Sequence, residues 1–590
     1  MTGATVGVSG LSQHNHPHLF SGNQPQASAA VYQPAIQPRV FDQFEQRRLK
    51  PAVIEETAGD RLKMLLLHPF STRRLSRFLA IGTQDSRETL FQRLKMFHAV
   101  SKRLTLEGRR HLHTLLKSGA LTNLSTETGH STLYYLHALI TTPRARGFDP
   151  DTTLNDLVRI LNKPYTITQK FGTLSEKAAK DILATRNNHS LLNRANEFAP
   201  TQPISWNDLN VNNSATCVAS SVMYYMADKN PAELSRQLVE LTSPLRAFFE
   251  ASTFHEISPH DPSQAETVLK ENQIKYSLTG PDTVQIKVDL PTAGYIRAIS
   301  ANKTRNTRTG IETAYQSALT FLVTRRTYDP ATDFRDANNP SIQSKGLTEP
   351  EKTLMESIIK DNGGVISVTY QVVAGKANPK PEEEGQSYLY GYTRTFEQTT
   401  SDLINALKMG EFVIIGITET DASGQIIGGH EITVTSAFVD KKDGEVKFVV
   451  VDSDDNIPEP VIRSARELIP RIHHAGMPYK LADQINTEIE QIPGYFTPTD
   501  EDRAHFAPLQ QSKDPLPADA FTPASVTETV SAPTTNPEPS QAQYPAANYP
   551  FPLSIGQTYP GQAAYWTQAY YPPAYYPTYP QGYYPGRQAA

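Results

Sequence analysis

Cys217 is the only cysteine in a chain of 590 residues. It stands where a turn-prone stretch, Asn212-Asn213-Ser214-Ala215-Thr216, gives way to a run able to form a helix, Val218 to Met226. A thiol at a helix start meets the positive end of the helix dipole, which favours the thiolate, the form that attacks carbonyl carbon. Two further marks follow far downstream. One is His430 in Gly428-Gly429-His430-Glu431-Ile432-Thr433-Val434, the other Asp452 in Val449-Val450-Val451-Asp452-Ser453-Asp454. Cysteine, histidine and acid in that order supply a nucleophile, a base and a group that orients the base. The competing structural readings are a small buried hydrophobe for Cys217 and a hydrogen-bonded strand-edge imidazole for His430. The helix start and the two downstream strands favour chemistry over both.

The surrounding elements must bring these residues together. Phe412 to Ile417 is a nearly continuous apolar run, as a buried strand requires. Asp421 to Gly429 reads as a turn-rich connection, His430 to Val439 as a second strand, Lys441-Lys442-Asp443-Gly444 as a hairpin turn and Glu445 to Val451 as a third strand. The histidine then begins one strand and the acid ends its antiparallel neighbour. Simple pairing of Asp440 with Glu445 puts His430 opposite Asp455, and alternation places Ser453 on its face. Asp452 points correctly only after a one-residue shift, such as a bulge. Asp454 has the same parity problem, and Asp454 and Asp455 read as solvated loop residues. Asp452 is preferred because it directly follows the apolar strand. Gly428 and Gly429 leave space for a substrate beside His430.

At this point the residues resemble the papain-like cysteine peptidase superfamily, and its bacterial processing-peptidase and effector branches more than papain itself. The resemblance covers about residues 204–464. It implies a helix carrying the nucleophile packed on an antiparallel sheet, with Cys217, His430 and Asp452 as the catalytic residues. It also implies an oxyanion hole from the Cys217 N–H and the side-chain amide of Asn212 or Asn213. The implied activity is hydrolysis of a peptide or isopeptide bond in a protein or peptide substrate, with neither cofactor nor metal. The local Cys-Gly-Ser-Cys-Trp signature is absent, and the long interval from Cys217 to His430 implies an insertion near 250–345. Two alternatives stay open: a transglutaminase-like acyltransferase or glutamine deamidase, and a non-enzymatic interaction scaffold.

The rest of the chain gives an α+β organisation with four parts. Residues 1–45, rich in Gln, Ser, Pro and His, read as disordered, and His14, His16 and His18 as part of a flexible polar tail. Residues 46–200 read as an α-helical domain. Asp85-Ser86 opens one helix, Thr105 caps the next, Leu154, Leu157, Ile160 and Leu161 form an apolar stripe, and Ser175 caps a further helix. Residues 201–500 form the mixed domain. In it Asn230 and Pro231 start a helix, Thr283–Asp289 and Thr320–Arg325 read as strands, and Lys303–Arg308 as a solvated basic loop. Thr348 with Pro350 starts another helix, and Ser401 caps one that Gly410 stops. The His473-His474 pair reads as part of a helix or loop without a matching acidic or thiol partner in sequence, and not as a metal site. Residues 501–590 are a Pro/Tyr-rich tail in which Pro572-Pro573-Ala574-Tyr575 spells a ligand for WW-type partner domains.

A formal charge of −5, from 56 basic and 61 acidic side chains, argues against a nucleic-acid binder. No apolar stretch is long enough to span a bilayer. One cysteine and no secretory signal point to the cytoplasm, or to export without a cleavable signal peptide.

Overall fold

The computed structural model describes residue 75, residues 78–170 and residues 216–491, apart from 245–246, 302–307, 326–345, 361–362, 377, 384–385 and 455–458. The two end segments expected to be disordered, the helix at Ser175, Asn212, Asn213 and Asp455 lie outside the described residues.

Four helices come first, each started by a side chain that satisfies N–H groups with no acceptor inside the helix. They are α1 (Leu90–Arg103), α2 (Leu106–Ser118), α3 (Thr132–Thr141) and α4 (Pro150–Asn162), capped by Thr89, Thr105, Ser131 and Asp149. The first starts later than Asp85 because Thr89 and Gln92 form a capping box, while the Ser86 hydroxyl is spent on Glu88. Next come α5 (Cys217–Lys229) and α6 (Pro231–Leu241), with Pro231 in the first turn of α6. Asn230 precedes α6 without capping it through its side chain; its Nδ2 donates to the Lys360 carbonyl.

A small antiparallel sheet follows, built from β1 (Phe248–Thr253), β2 (Tyr276–Gly280) and β3 (Thr283–Asp289) in the order β1-β3-β2. Helix α7 (Ala265–Glu271) lies within it in sequence, and α8 (Thr292–Ala301) and α9 (Gly310–Thr324) come after. Thr320–Arg325 is therefore not a strand: it is the end of α9. A Thr309–Glu312 capping box commits the segment to helix, and the Thr313 and Thr324 hydroxyls bond carbonyls one turn back, so the β-branched residues are accommodated. Burial on almost every side of α9 removed the periodicity that marks a helix. Arg308 is not solvated either; it is 1% exposed and bonded inward.

Helix α10 (Glu349–Lys360) leads into a mixed-order, all-antiparallel sheet of eight strands. The strands are β4 (Val365–Thr369), β5 (Gln371–Gly375), β6 (Ser387–Tyr392), β7 (Val413–Thr420), β8 (Ile426–Val439), β9 (Val446–Val451), β10 (Val461–Ser464) and β11 (Ile472–Pro478). Their main path runs β10-β9-β8-β7-β11-β4, with β6 pairing β5 and β8. Helix α11 (Phe396–Lys408) precedes β7, α12 (Ala465–Leu468) precedes β11, and α13 (Tyr479–Glu490) follows it. Two of the boundaries that differ from the sequence expectation have a local cause. Ser401 lies inside α11, because a Thr395–Gln398 capping box starts the helix earlier. β8 begins at Ile426, because Asp421 closes a shorter turn by accepting the N–H groups of Ser423 and Gln425.

The large sheet is a layer covered on both faces. Ile414 and Val451 pack into one hydrophobic core with Met223 of α5, Leu319 of α9, Ile358 of α10 and Leu112 and Leu157 of the first helices. Ile415, Ile432 and Val450 face a second core with Leu403 of α11, Leu468 of α12 and Ile485 of α13. The first four helices thus share a core with α5, the helix that begins at Cys217. Among the described residues no helix is long and apolar enough to cross a membrane.

Candidate active site

Cys217 is the first residue of α5 and is partly exposed. Thr216 before it is buried and does not cap the helix with its side chain. Its hydroxyl donates to Gln316 Oε1 at 2.9 Å and accepts from Arg308 Nη1 at 3.1 Å.

His430 and Asp452 meet across β8 and β9, with His430 Nε2 2.7 Å from Asp452 Oδ1. The parity problem is solved by a register shift. Val439 pairs with Val446 and Ser436 with Val449, but the next pair is Val434 with Val450. Thr435 is the extra residue, and its hydroxyl donates to the Val449 carbonyl at 3.2 Å. Past the shift Thr433 faces Val451, so Asp452 falls on the side of the sheet that carries His430. Asp454 donates its N–H to Asp452 Oδ1 at 2.8 Å, while its carboxylate lies 3.8 Å from Lys170.

Burial, which leaves His430 9% exposed, works against a charged ring. Hydrogen bonds to Asp452 and Cys217, with the negative charges of both, outweigh it and raise the imidazole from 6.5 to about 11. Burial likewise pushes Asp452 up, but the His430 bond and charge and the Asp454 N–H hold it below the usual carboxylate value. With Nε2 committed to Asp452, Nδ1 is the ring nitrogen left for the sulfur. Asp452 is in hydrogen-bond contact with His430, and Cys217 acts on the same imidazole.

A clamp that sequence reasoning missed joins the two ends of this group. Thr168 Oγ1 and the Gln169 N–H both donate to the Ser453 carbonyl, at 2.8 and 3.1 Å. The Thr168 carbonyl accepts from Gln316 Nε2 at 3.0 Å, and its N–H donates to Glu312 Oε1 at 3.2 Å. Arg308 donates through Nη1 to Gln316 Oε1 at 2.6 Å and through its backbone N–H to the Lys170 carbonyl at 3.0 Å. Gln316 thus holds both Thr216, the residue before Cys217, and the segment that grips Ser453, the residue after Asp452. The one signal in sequence was Glu312 and Gln316, the two residues with long polar side chains in this helix, one turn apart.

Gly428 and Gly429 lie on β8 opposite Glu419 and Thr418 and are exposed. A Cβ on either would meet only ordinary contacts, Glu419 Oε2 at 3.6 Å and the Ile417 carbonyl at 3.7 Å, so packing does not demand glycine. A charged hollow of about 140 Å³ flanks His430 and Asp452, lined also by Glu419, Arg463, Glu467 and Arg471. Cys217 is not in its lining, so a carbonyl under attack would not sit there.

A second titratable group gathers around β11, with His474 buried and Glu349 and His473 partly buried. A register shift between Ile472 and His474 against β7 brings His473 and His474 together, their Nδ1 atoms 2.8 Å apart. Glu349, at the start of α10, offers a carboxylate oxygen to the same place, with all three ligand atoms within 4.8 Å of one another. His474 Nε2 lies 2.8 Å from Glu431 Oε1, and Lys352 Nζ lies 3.3 Å from Glu431 Oε2. The pair is therefore on a strand and has acidic neighbours, contrary to the sequence expectation. Its carboxylates come from α10 and β8, too far away in sequence to be seen beside it. Burial pushes Glu431 up, but the Lys352 and His474 charges bring it down to about 2.

No family model, curated protein or solved structure matches the chain. The class that fold and site define is a mixed α+β protein with antiparallel sheets, in which a helix-start cysteine, a strand histidine and a following aspartate converge.

Proposed function

We propose that the chain is a papain-like thiol hydrolase that cleaves a peptide or isopeptide bond in a protein or peptide substrate. The observation that carries this reading is the imidazole of His430, held by Asp452 on one nitrogen and interacting with the Cys217 sulfur. His430 takes the proton of Cys217, giving an imidazolium beside a thiolate. The sulfur attacks the scissile carbonyl carbon, and the first N–H groups of α5, which have no acceptor within the helix, receive the developing oxyanion. His430 returns the proton to the leaving amine as the C–N bond breaks and a thioester forms. His430 then takes a proton from water, whose oxygen displaces the sulfur and releases the acid. Asp452 fixes the ring orientation throughout and stabilises its charged form.

A glutamine deamidase or acyltransferase would use the same three side chains, so the products decide. The test compares chain ends in a protein mixture treated with wild-type protein and with Cys217→Ala. New ends that need Cys217 support hydrolysis. Ammonia release without new ends assigns deamidation or transfer instead. A Cys217 that an electrophilic probe labels no faster than a free thiol overturns all three.

A further inference from the structure

We propose that Glu349, His473 and His474 form a binding site for a divalent transition-metal ion of the Zn²⁺ type, separate from the cysteine site and independent of the function proposed for it. Successive residues of a strand point to opposite faces. Here the shift between Ile472 and His474 turns both rings to one place, with 2.8 Å between the two Nδ1 atoms. Two nitrogens on one tetrahedral ion, at about 2.0–2.1 Å each, lie about 3.3 Å apart, so separation by about half an ångström admits the ion. Glu349 supplies the third ligand from another element. Hydroxyls of Ser367 and Thr369 donate to its Oε1 and fix the carboxylate. The other nitrogen of His474, Nε2, faces Glu431 Oε1 at 2.8 Å. A carboxylate behind a metal-binding imidazole is the usual outer partner that sets the ring's tautomer and aim.

Two more features suit a cation. Three carboxylates, Glu349, Glu356 and Glu431, share this region with two ammonium groups, Lys352 and Lys360, which leaves negative charge when both imidazoles are neutral. Space is kept by Gly416 on the neighbouring strand, where a Cβ would come within 2.7 Å of His474 Nε2 and 2.8 Å of Glu431 Oε1. An ion there ties the start of α10 to β11 and steadies Glu431, the neighbour of His430 in sequence.

The experiment uses the full chain with Cys217→Ala, His14→Ala, His16→Ala and His18→Ala, which removes competing ligands. The protein is stripped with a chelator, then titrated with Co²⁺ and Zn²⁺. We expect one Co²⁺ per chain with visible d–d absorption, displaced by Zn²⁺, and a higher melting temperature with Zn²⁺. Glu349→Gln, which preserves side-chain shape, and His473→Ala should each weaken binding at least tenfold. No saturable binding, or binding unchanged in Glu349→Gln, overturns the proposal; the second result also decides the matter if His473→Ala fails to fold.

Discussion

His430 is where the chemistry and the electrostatics meet. Its raised pKa gives a definite sign for pH dependence. An imidazole at about 11 in the folded chain and about 6.5 in the unfolded one favours folding fully below pH 6.5 and loses that contribution as pH rises through 11. Asp452→Asn keeps an acceptor oxygen but removes the charge, so the imidazole pKa should fall towards 6.5 and the loss of stability at alkaline pH should flatten. Nitrogen-15 spectra of labelled histidine across pH, with urea unfolding at pH 6 and pH 10, measure both; an unmoved imidazole would refute the pairing. Replacing His430 by Ala should cost about 10²–10⁴ in turnover, the usual worth of a positioned acid–base group. Cys217→Ala should abolish turnover and leave far-ultraviolet circular dichroism intact, because the sulfur is partly exposed rather than deep in the core.

At the scale of elements, placement depends on features that are local in space and not in sequence. The helix starting at Cys217, Pro231 at the head of α6, the buried strand β7 and the turn at Lys441–Gly444 were legible, since caps, breakers and apolar runs act within a few residues. The need for a bulge between His430 and Asp452 followed from strand parity, but its position at Thr435 did not, because pairing geometry decides it. The acids around His473 and His474 were illegible for the same reason. The clamp through Thr168 yields a test. Thr168→Val removes the hydroxyl's bond to the Ser453 carbonyl and the one it accepts from the Lys170 N–H, so stability should fall by about 1–3 kcal/mol. If the clamp positions the acid loop, turnover should also fall with KM unchanged, and Thr168→Ser should restore it; equal activity in the Val variant would reduce Thr168 to a structural role. Gly416→Ala probes the other shift: overpacking against His474 and Glu431 should cost about 1–3 kcal/mol, read as a lower urea midpoint.

For the whole molecule the question is whether the helical segment and the cysteine-bearing segment can be parted. Composition and periodicity suggested a boundary near residue 200, yet side chains from both sides of it enter one core. Leu112, Leu116, Leu154, Leu157 and Leu161 pack there with Met223 and Leu319. Polar contacts cross the same line: Ser125 donates to buried Glu233 at 2.7 Å, and Glu127 accepts the Ser252 N–H at 2.7 Å. Burial of one large aliphatic side chain contributes about 1.5–3 kcal/mol, so losing these five leucines and uncovering their partners rivals the whole stability of a typical domain, about 5–15 kcal/mol. The same cut removes Thr168 and Gln169 from the Ser453 carbonyl, so the acid loop loses its grip as the core opens. A chain beginning at residue 201 should therefore bind a hydrophobic dye, unfold without a cooperative urea transition, and leave Cys217 labelled no faster than a free thiol. Cooperative unfolding of that fragment, with labelling as fast as in the full chain, would show that the helices are an appendage and that the cysteine, histidine and aspartate assemble without them.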